Sequence, residues 1–457
     1  MPPFSRRSVP LRLPSLVLAG WLASSLLVAC EGPAGPVGPE GPQGEAGNPG
    51  PTGPAGQNPT PRPVRLLDDK IGRWLPENRT RINALIQNLG IASATFDPKN
   101  RPVAVFDWDN TVVKNDLGDA TLFWMLKHDK ILQPAGKDWS TTSRHLTAAA
   151  LTALKTACDS AGNAGEPLRT STVASCADEI VSIYDTGNTK AGQAAWNNRI
   201  TLTMNTAYAW VSQLQAGYTP DEIRAFARSA YAENAFNPPG TRQTVGTTTG
   251  LNYHVQVYEE MVDLIETMQD NGFDVWVSTA SPQFVIDAVS EELVGIKANR
   301  VIGIRAMTDS QGRVTPHFQG CGTVADNEDT LITYDQGKRC WLNKIVFRLP
   351  PAEQLARHPD ASKRQVFAAG DSDTDLAFVQ DATHLKLAIN RARVQLMCNA
   401  YANRQNTWLV QPMFVLPRAK AANYPCTTAL DAAGQPIVDE AGARFTQDYE
   451  DRIFALP

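Results

Sequence analysis

The chain has 457 residues, 42% of them hydrophobic and 19% charged, so most of it can bury a core. Its 42 Lys and Arg against 47 Asp and Glu leave a net charge of −5, which disfavours a nucleic-acid partner because no basic excess is present to neutralise phosphates. Seven cysteines form no CxxC and no Cys/His cluster, which argues against structural zinc, and the single apolar run near the N-terminus rules out a multi-span membrane protein.

In chain order, Arg6, Arg7 and Arg12 flank a short apolar stretch over residues 14–29, the length of an export signal rather than of a membrane span. It ends in Leu27-Val28-Ala29-Cys30, which closely resembles a bacterial lipobox. That resemblance implies that residues 1–29 are removed and that Cys30 is lipidated. Acyl chains bury about 0.8 kcal/mol per CH₂, so the protein is expected to sit on a membrane of the cell envelope, outside the cytoplasm.

Residues 30–63 follow as a leader. Glycine recurs at every third position from Gly32 to Gly56, with proline between, which is the period of collagen. Two readings stand: a stalk that trimerises the protein, or a single polyproline-II spacer on the order of 75 Å long. The shortness of the run favours the spacer. Globular sequence starts near Val64.

Setting Cys30 aside leaves six cysteines, and an exported chain favours disulfides. Fifteen connectivities are possible. Nearest-neighbour pairing gives Cys158 with Cys176, Cys321 with Cys340 and Cys398 with Cys426. Each pair closes a loop of about 20–30 residues, associated with about 3 kcal/mol of stabilisation.

Three apolar runs read as buried parallel strands, and ligands in α/β sheets gather at the carboxyl ends of such strands. Residues 103–106 lead into Asp107-Trp108-Asp109-Asn110-Thr111. Residues 275–278 lead into Thr279-Ala280-Ser281. Residues 366–369 lead into Gly370-Asp371-Ser372-Asp373-Thr374-Asp375. A helix-like segment beginning Gly337-Lys338 lies between the last two. Paired carboxylates at one edge suit Mg²⁺, which takes hard oxygen ligands.

These four motifs, in this order, resemble the signature of the haloacid dehalogenase superfamily: DxDx[TV], a hydroxyl after a strand, a lysine, then GDxxxD. The resemblance covers roughly residues 100–395. The segment Phe106-Asp107-Trp108-Asp109-Asn110-Thr111 and the helical insert after it resemble the phosphoserine and phosphocholine phosphatase branch. It implies an α/β fold with a Rossmann-like parallel sheet, a core over residues 64–115 and 256–457, and a helical cap over 116–255. By the same resemblance Asp107 is a nucleophile that becomes an aspartyl phosphate, and Asp109 is the general acid and base. Thr279 binds a phosphoryl oxygen, with Ser278 as the neighbouring alternative, and Lys338 neutralises phosphoryl charge, with Lys344 as competitor. The implied Mg²⁺ set is Asp107, Asp109 (through its backbone carbonyl), Asp371 and Asp375, the last through water or by orienting the lysine. Thr374 stands where many relatives have Asn, and an insert over residues 349–363 lengthens the path from lysine to GD.

Between Asp109 and Thr279 lie 169 residues, far more than a crossover needs. Helical periodicity is predicted over 120–132, 145–158, 196–216, 220–235 and 255–269. Acidic residues near Asp116 and Asp119 contact a substrate amine in the resembling phosphatases; the plain alternative is an acid at a helix N-terminus. Aromatic rings are plentiful there, among them Trp124, Trp210, Tyr208 and Tyr258, and two or three could cage a cation. His145, His254 and His317 are scattered and read as core or surface histidines.

The leading expectation is therefore a lipid-anchored, Mg²⁺-dependent phosphomonoesterase acting on small esters. A reading from another class is a collagen-like surface interaction lipoprotein with a non-catalytic version of the fold. Dehalogenase or phosphonatase chemistry is a third, disfavoured because those relatives do not keep the second aspartate.

Overall fold

The computed structural model describes residues 63–457 except Arg199, so the expected signal, Cys30 and the glycine repeat lie outside the described residues. Helix α1 (Pro76–Leu89) precedes β1 (Val103–Phe106) and a short strand β2 (Val113–Lys114). Helices α2 (Leu117–Lys127), α3 (Ala148–Cys158), α4 (Ala174–Asp185), α5 (Thr206–Gln213) and α6 (Pro220–Asn234) follow. A hairpin of β3 (Arg242–Val245) and β4 (Thr248–Asn252) leads to β5 (Gln256–Val257), which returns antiparallel to β2. Next come α7 (Glu259–Asp270), β6 (Asp274–Pro282), α8 (Gln283–Ile286), α9 (Ser290–Val294) and β7 (Val301–Ile304). A second hairpin, β8 (Ala306–Thr308) and β9 (Val314–Phe318), precedes α10 (Gln336–Ile345). The chain then alternates through β10 (Phe367–Gly370), α11 (Leu376–Val379), β11 (Leu385–Asn390), α12 (Val394–Ala402) and β12 (Trp408–Pro412).

Six strands form one sheet in the order β12-β11-β10-β1-β6-β7, every pairing parallel. The fold is thus α/β with a Rossmann-like sheet, as the sequence predicts. The run Val103-Ala104-Val105-Phe106 is apolar throughout because both sheet faces are covered. Ala104 and Phe106 pack with Ile82 and Ile86 of α1 and Leu264 and Met268 of α7. Val105 points the other way, to Trp341 of α10 and Leu396 of α12. From β1 the chain builds outward to β6 and β7, then crosses back to build β10, β11 and β12 on the other side. The order therefore reverses between β1 and β10, where a crevice opens at the carboxyl edge.

The insert between β2 and β5 gathers a cluster of its own, including Leu126, Leu154, Ile180 and Trp210. The helix predicted over 220–235 is α6, started by Pro220 and a capping box between Thr219 and Glu222. The pattern over 196–216 yields only α5, because Asn205 caps it by accepting from the N–H groups of Ala207 and Tyr208. Helix α2 starts earlier than predicted, at the Asp116 cap. Helix α4 and the β3–β4 hairpin had no counterpart among the predicted elements.

The six cysteines pair as nearest neighbours. Cys158–Cys176 ties α3 to α4, Cys321–Cys340 ties α10 to the segment after β9, and Cys398–Cys426 ties α12 to the chain beyond β12. Among the described residues no helix is long and apolar enough to cross a membrane.

Candidate active site

Asp107 is the first residue after β1, its N–H held by the Ala369 carbonyl of β10 at 2.9 Å. One carboxylate oxygen receives Lys338 Nζ at 2.7 Å and the other receives the Thr111 hydroxyl at 3.0 Å. The same hydroxyl lies 3.3 Å from Asp371, so Thr111 bridges the ends of β1 and β10. The turn that brings Thr111 back passes through Asn110 at φ 63°, a left-handed conformation that asparagine tolerates.

Asp375 folds back over the end of β10. Its Oδ2 accepts from the N–H groups of Asp371 and Ser372 and from the Ser372 hydroxyl, while Oδ1 takes Lys338 Nζ at 2.5 Å. The return needs glycine beneath it: a Cβ on Gly370 would lie 2.6 Å from the Cβ of Asp375. Lys344, the alternative lysine, is elsewhere, donating to the Gly320 carbonyl at 2.6 Å and lying over the Trp341 ring.

Asp109 is held from the start of α2 and the end of β6. It accepts from the Leu117 N–H at 2.8 Å and from the Ser281 hydroxyl at 2.7 Å, with Thr279 Oγ1 at 3.4 Å. Thr279 is fully buried and its hydroxyl also accepts the Ser281 N–H, so Ser281, not Thr279, lines the cavity. Ser278 is buried as well, with no hydrogen-bond partner for its hydroxyl. Gly118 permits this packing, since a Cβ there would meet Ser281 Oγ at 2.9 Å.

The cavity these residues enclose measures about 250 Å³. Six carboxylates line it (Asp107, Asp109, Asp116, Asp119, Asp185 and Asp371) against two cations, Lys338 and Arg391. Burial pushes Asp107 and Asp109 well above the usual carboxylate range, with Asp375 adding to the first and Asp116 to the second. Burial raises Asp371 as well, against the pull of Arg391. Burial alone would lower Lys338, but Asp107 and Asp375 outweigh it and the lysine stays above its ordinary value.

Asp116 combines the two readings of an acid at this position. It caps α2, accepting the Asp119 N–H at 2.9 Å, and it lines the cavity. Asp119 accepts a hydrogen bond from the Tyr184 hydroxyl. Of the many rings in the insert, only Tyr184 and Tyr208 line the cavity. Trp139, Trp196 and Trp210 belong to the insert's own core, and Tyr258 packs on the sheet side. His145, His254 and His317 each bond a backbone carbonyl or a carboxylate away from the cavity.

Asp107, Asp371 and Asp375 bring carboxylate oxygens within 4.8 Å of one another, all buried. An all-oxygen buried donor set fits a hard cation such as Mg²⁺. Asp107 and Asp371 suit direct ligation. Asp375, whose Oδ2 is tied down by two backbone N–H groups and the Ser372 hydroxyl while Oδ1 holds Lys338, suits support of the lysine. The Asp109 carboxylate is turned away, which leaves only its backbone carbonyl for a metal.

Sequence reasoning missed Thr111, Ser281, Tyr184 and Arg391. Arg391 had a weaker signal: it follows β11, whose apolar stretch is only Leu387-Ala388-Ile389 between Lys386 and Asn390, so the strand-end logic that identified Asp107 and Asp371 applied less clearly.

No protein-family model matches the chain, and no curated protein does. Solved structures do. One from Anaerococcus prevotii, described as a conserved protein of unknown function, is 19% identical, covers 74% of this chain and 92% of its own, and has a TM-score of 0.50. A protein of unknown function from Bordetella pertussis is 16% identical over 69% of this chain and 99% of its own, with a TM-score of 0.38. A substrate-bound phosphoserine phosphatase is 11% identical over 63% and 86%, with a TM-score of 0.27. At these identities the likeness concerns the fold alone, an α/β arrangement around a parallel sheet.

Proposed function

We propose that the protein is a Mg²⁺-dependent phosphomonoesterase working through an aspartyl phosphate on Asp107. One observation carries the reading: Asp107, held by Lys338 at 2.7 Å, and Asp109, held by Ser281 at 2.7 Å, line one cavity. A nucleophile and a proton carrier beside one bound ester are what transfer through an aspartyl phosphate needs.

Asp107 attacks phosphorus while Asp109 gives a proton to the departing ester oxygen. Asp109 then takes a proton from the water that attacks the aspartyl phosphate, releasing phosphate and restoring Asp107. Lys338 keeps Asp107 aimed and offsets phosphoryl charge. Asp107, Asp371 and the Asp109 carbonyl would hold a Mg²⁺ ion, which would supply positive charge against the phosphoryl oxygens. Helices of the insert exclude water from the cavity.

The substrate is a small ester whose leaving group carries a cation, such as phosphocholine, phosphoethanolamine or phosphoserine. The excess of carboxylates in the cavity supports this, with Asp116 and Asp119 supplying the negative wall and Tyr184 and Tyr208 the rings. Cys30 anchors the enzyme by lipid outside the cytoplasm, with residues 30–63 as tether. Three disulfides support an oxidising location.

Hydrolysis of p-nitrophenyl phosphate with and without EDTA, in wild type and Asp107→Asn, tests the reaction. Full activity in Asp107→Asn would overturn it. No turnover of any ester with Mg²⁺ present would leave the non-catalytic surface protein. For the substrate, kcat/KM must be higher for amine-bearing esters than for glycerol phosphate, and Asp119→Asn must erase the difference; equal rates would reject the preference. For the anchor, Cys30→Ser must release the protein from membranes.

A further inference from the structure

Arg391 projects from the end of β11 and places Nη1 2.8 Å from Asp371 Oδ2. Lys338 holds Asp107 Oδ1, the oxygen other than the one that Thr111 links to Asp371. The contact with Asp371 uses one of five guanidinium N–H donors, and the group lines the cavity with 28% of its side chain exposed. A planar fork of donors suits a phosphate better than a lysine does.

What fixes Arg391 comes from beyond the sheet. Its neighbour Asn390 is buried and uses its whole amide. The Asn390 amide donates to Asp451 Oδ1 at 2.8 Å and to the Ile453 carbonyl at 2.6 Å. Its oxygen accepts from the Tyr424 hydroxyl at 3.1 Å and from the Ala392 N–H at 3.0 Å. Ala392 sits at φ 60°, so the chain turns sharply just past the arginine. Asp451 is held in turn by the Tyr401 hydroxyl and the Lys420 N–H, and Cys426 ties this segment to α12.

We infer that Arg391 is a second phosphate-binding cation, clasping the phosphoryl group together with Lys338, and that residues 413–457 serve to position it through Asn390. The inference rests on the phosphatase reading. Arg391 is the group that touches substrate; Asn390, Tyr424 and Asp451 are positioning residues.

The test uses the full chain. Binding of inorganic phosphate in Mg²⁺, and of Mg²⁺ alone, is measured by calorimetry for wild type, Arg391→Lys and Arg391→Gln, beside KM and kcat for p-nitrophenyl phosphate. Arg391→Gln should weaken phosphate binding and raise KM about tenfold or more, with kcat and Mg²⁺ affinity moving much less; Arg391→Lys should recover only part. Tyr424→Phe should raise KM two- to fivefold in the wild-type background and not at all in Arg391→Gln, with thermal melting confirming that both fold. Wild-type phosphate affinity in Arg391→Gln would overturn the inference while leaving the phosphatase intact. A loss of Mg²⁺ affinity equal to the loss of phosphate affinity would overturn it too, because Arg391 would then act only through Asp371. Equal effects of Tyr424→Phe in both backgrounds would remove the positioning role of the C-terminal segment. A wild type that neither binds phosphate nor hydrolyses any ester would sink the phosphatase reading itself.

Discussion

Lys338 Nζ lies 2.7 Å from Asp107 Oδ1 across a separation of 231 residues, and both side chains are buried. The ammonium is shared with Asp375, so one lysine satisfies two carboxylates that would otherwise repel each other. Removing one partner of a buried ionic group leaves uncompensated charge, at a cost on the order of 3 kcal/mol. Lys338→Met is therefore expected to lower the melting temperature and abolish turnover. Lys344→Met, whose ammonium meets only a carbonyl and a ring, should leave activity within a fewfold of wild type. Comparable losses from the two would contradict the assignment.

Asp109 carries the proton in the proposed cycle. Asp109→Asn should reduce kcat by about 10²–10⁴, the usual share of general acid–base catalysis. The loss should be smaller for p-nitrophenyl phosphate, whose leaving group needs no proton, than for an alkyl ester. Ser281→Ala removes the hydroxyl that orients Asp109 and should reproduce a lesser version of the same pattern. Single-turnover rates on the two ester types check both.

Bound metal should stabilise the fold, because a ligand that binds only the native state adds RT ln(1 + [L]/Kd). Mg²⁺ is expected to raise the melting temperature of wild type, and EDTA to reverse the shift. Asp371→Asn should lose most of the shift without loss of the fold, since the amide oxygen can accept from Arg391 while the amide nitrogen donates to the Thr111 hydroxyl. A Mg²⁺ shift unchanged in Asp371→Asn would place the metal elsewhere.

Lys114 sits buried on β2, 3.8 Å from the sulfur of Met413. Burial, with Arg391 and Arg418 nearby, holds its ammonium down at about 8 against 10.5 ordinarily. The folded state thus binds this proton less tightly than the unfolded chain. The destabilisation is fully present below pH 8 and disappears as pH rises through 10.5. Lys114→Met should gain on the order of 2–3 kcal/mol at pH 7, and the gain should vanish near pH 10.5. Denaturant titrations of both proteins across that range decide it.

The catalytic edge was legible because buried parallel strands are unbroken apolar runs, so their ends can be located to a residue or so. Asp107 and Asp371 stood out on that ground, Lys338 on the start and spacing of its helix-like segment, and α6 on its helical periodicity. Helix α4 did not, because its buried residues include Asp178 and Glu179. Asp178 accepts from the N–H and hydroxyl groups of Thr247 and Thr248, a use of buried charge that breaks apolar periodicity. Tyr184 was lost with that helix. The β3–β4 hairpin is mostly polar and exposed, so no alternation marks it. The choice of Ser281 over Thr279 as the hydroxyl facing the cavity depends on the local path at the end of β6, which strand-end reasoning does not specify.

β1 lies in the middle of the sheet, yet its partners β6 and β10 begin at residues 274 and 367. A chain that stops short of β10 cannot assemble the edge that holds Asp107. Contacts of such sequence separation are slow to form, because loop closure must precede any gain from pairing. The three disulfides span only 18, 19 and 28 residues. The Cys158–Cys176 cross-link can close while the chain is still emerging, whereas the strand edge that holds Asp107 must await β10. Until then β1 has β6 to pair with but no neighbour on its other side, an open hydrophobic edge where a chaperone would be most needed.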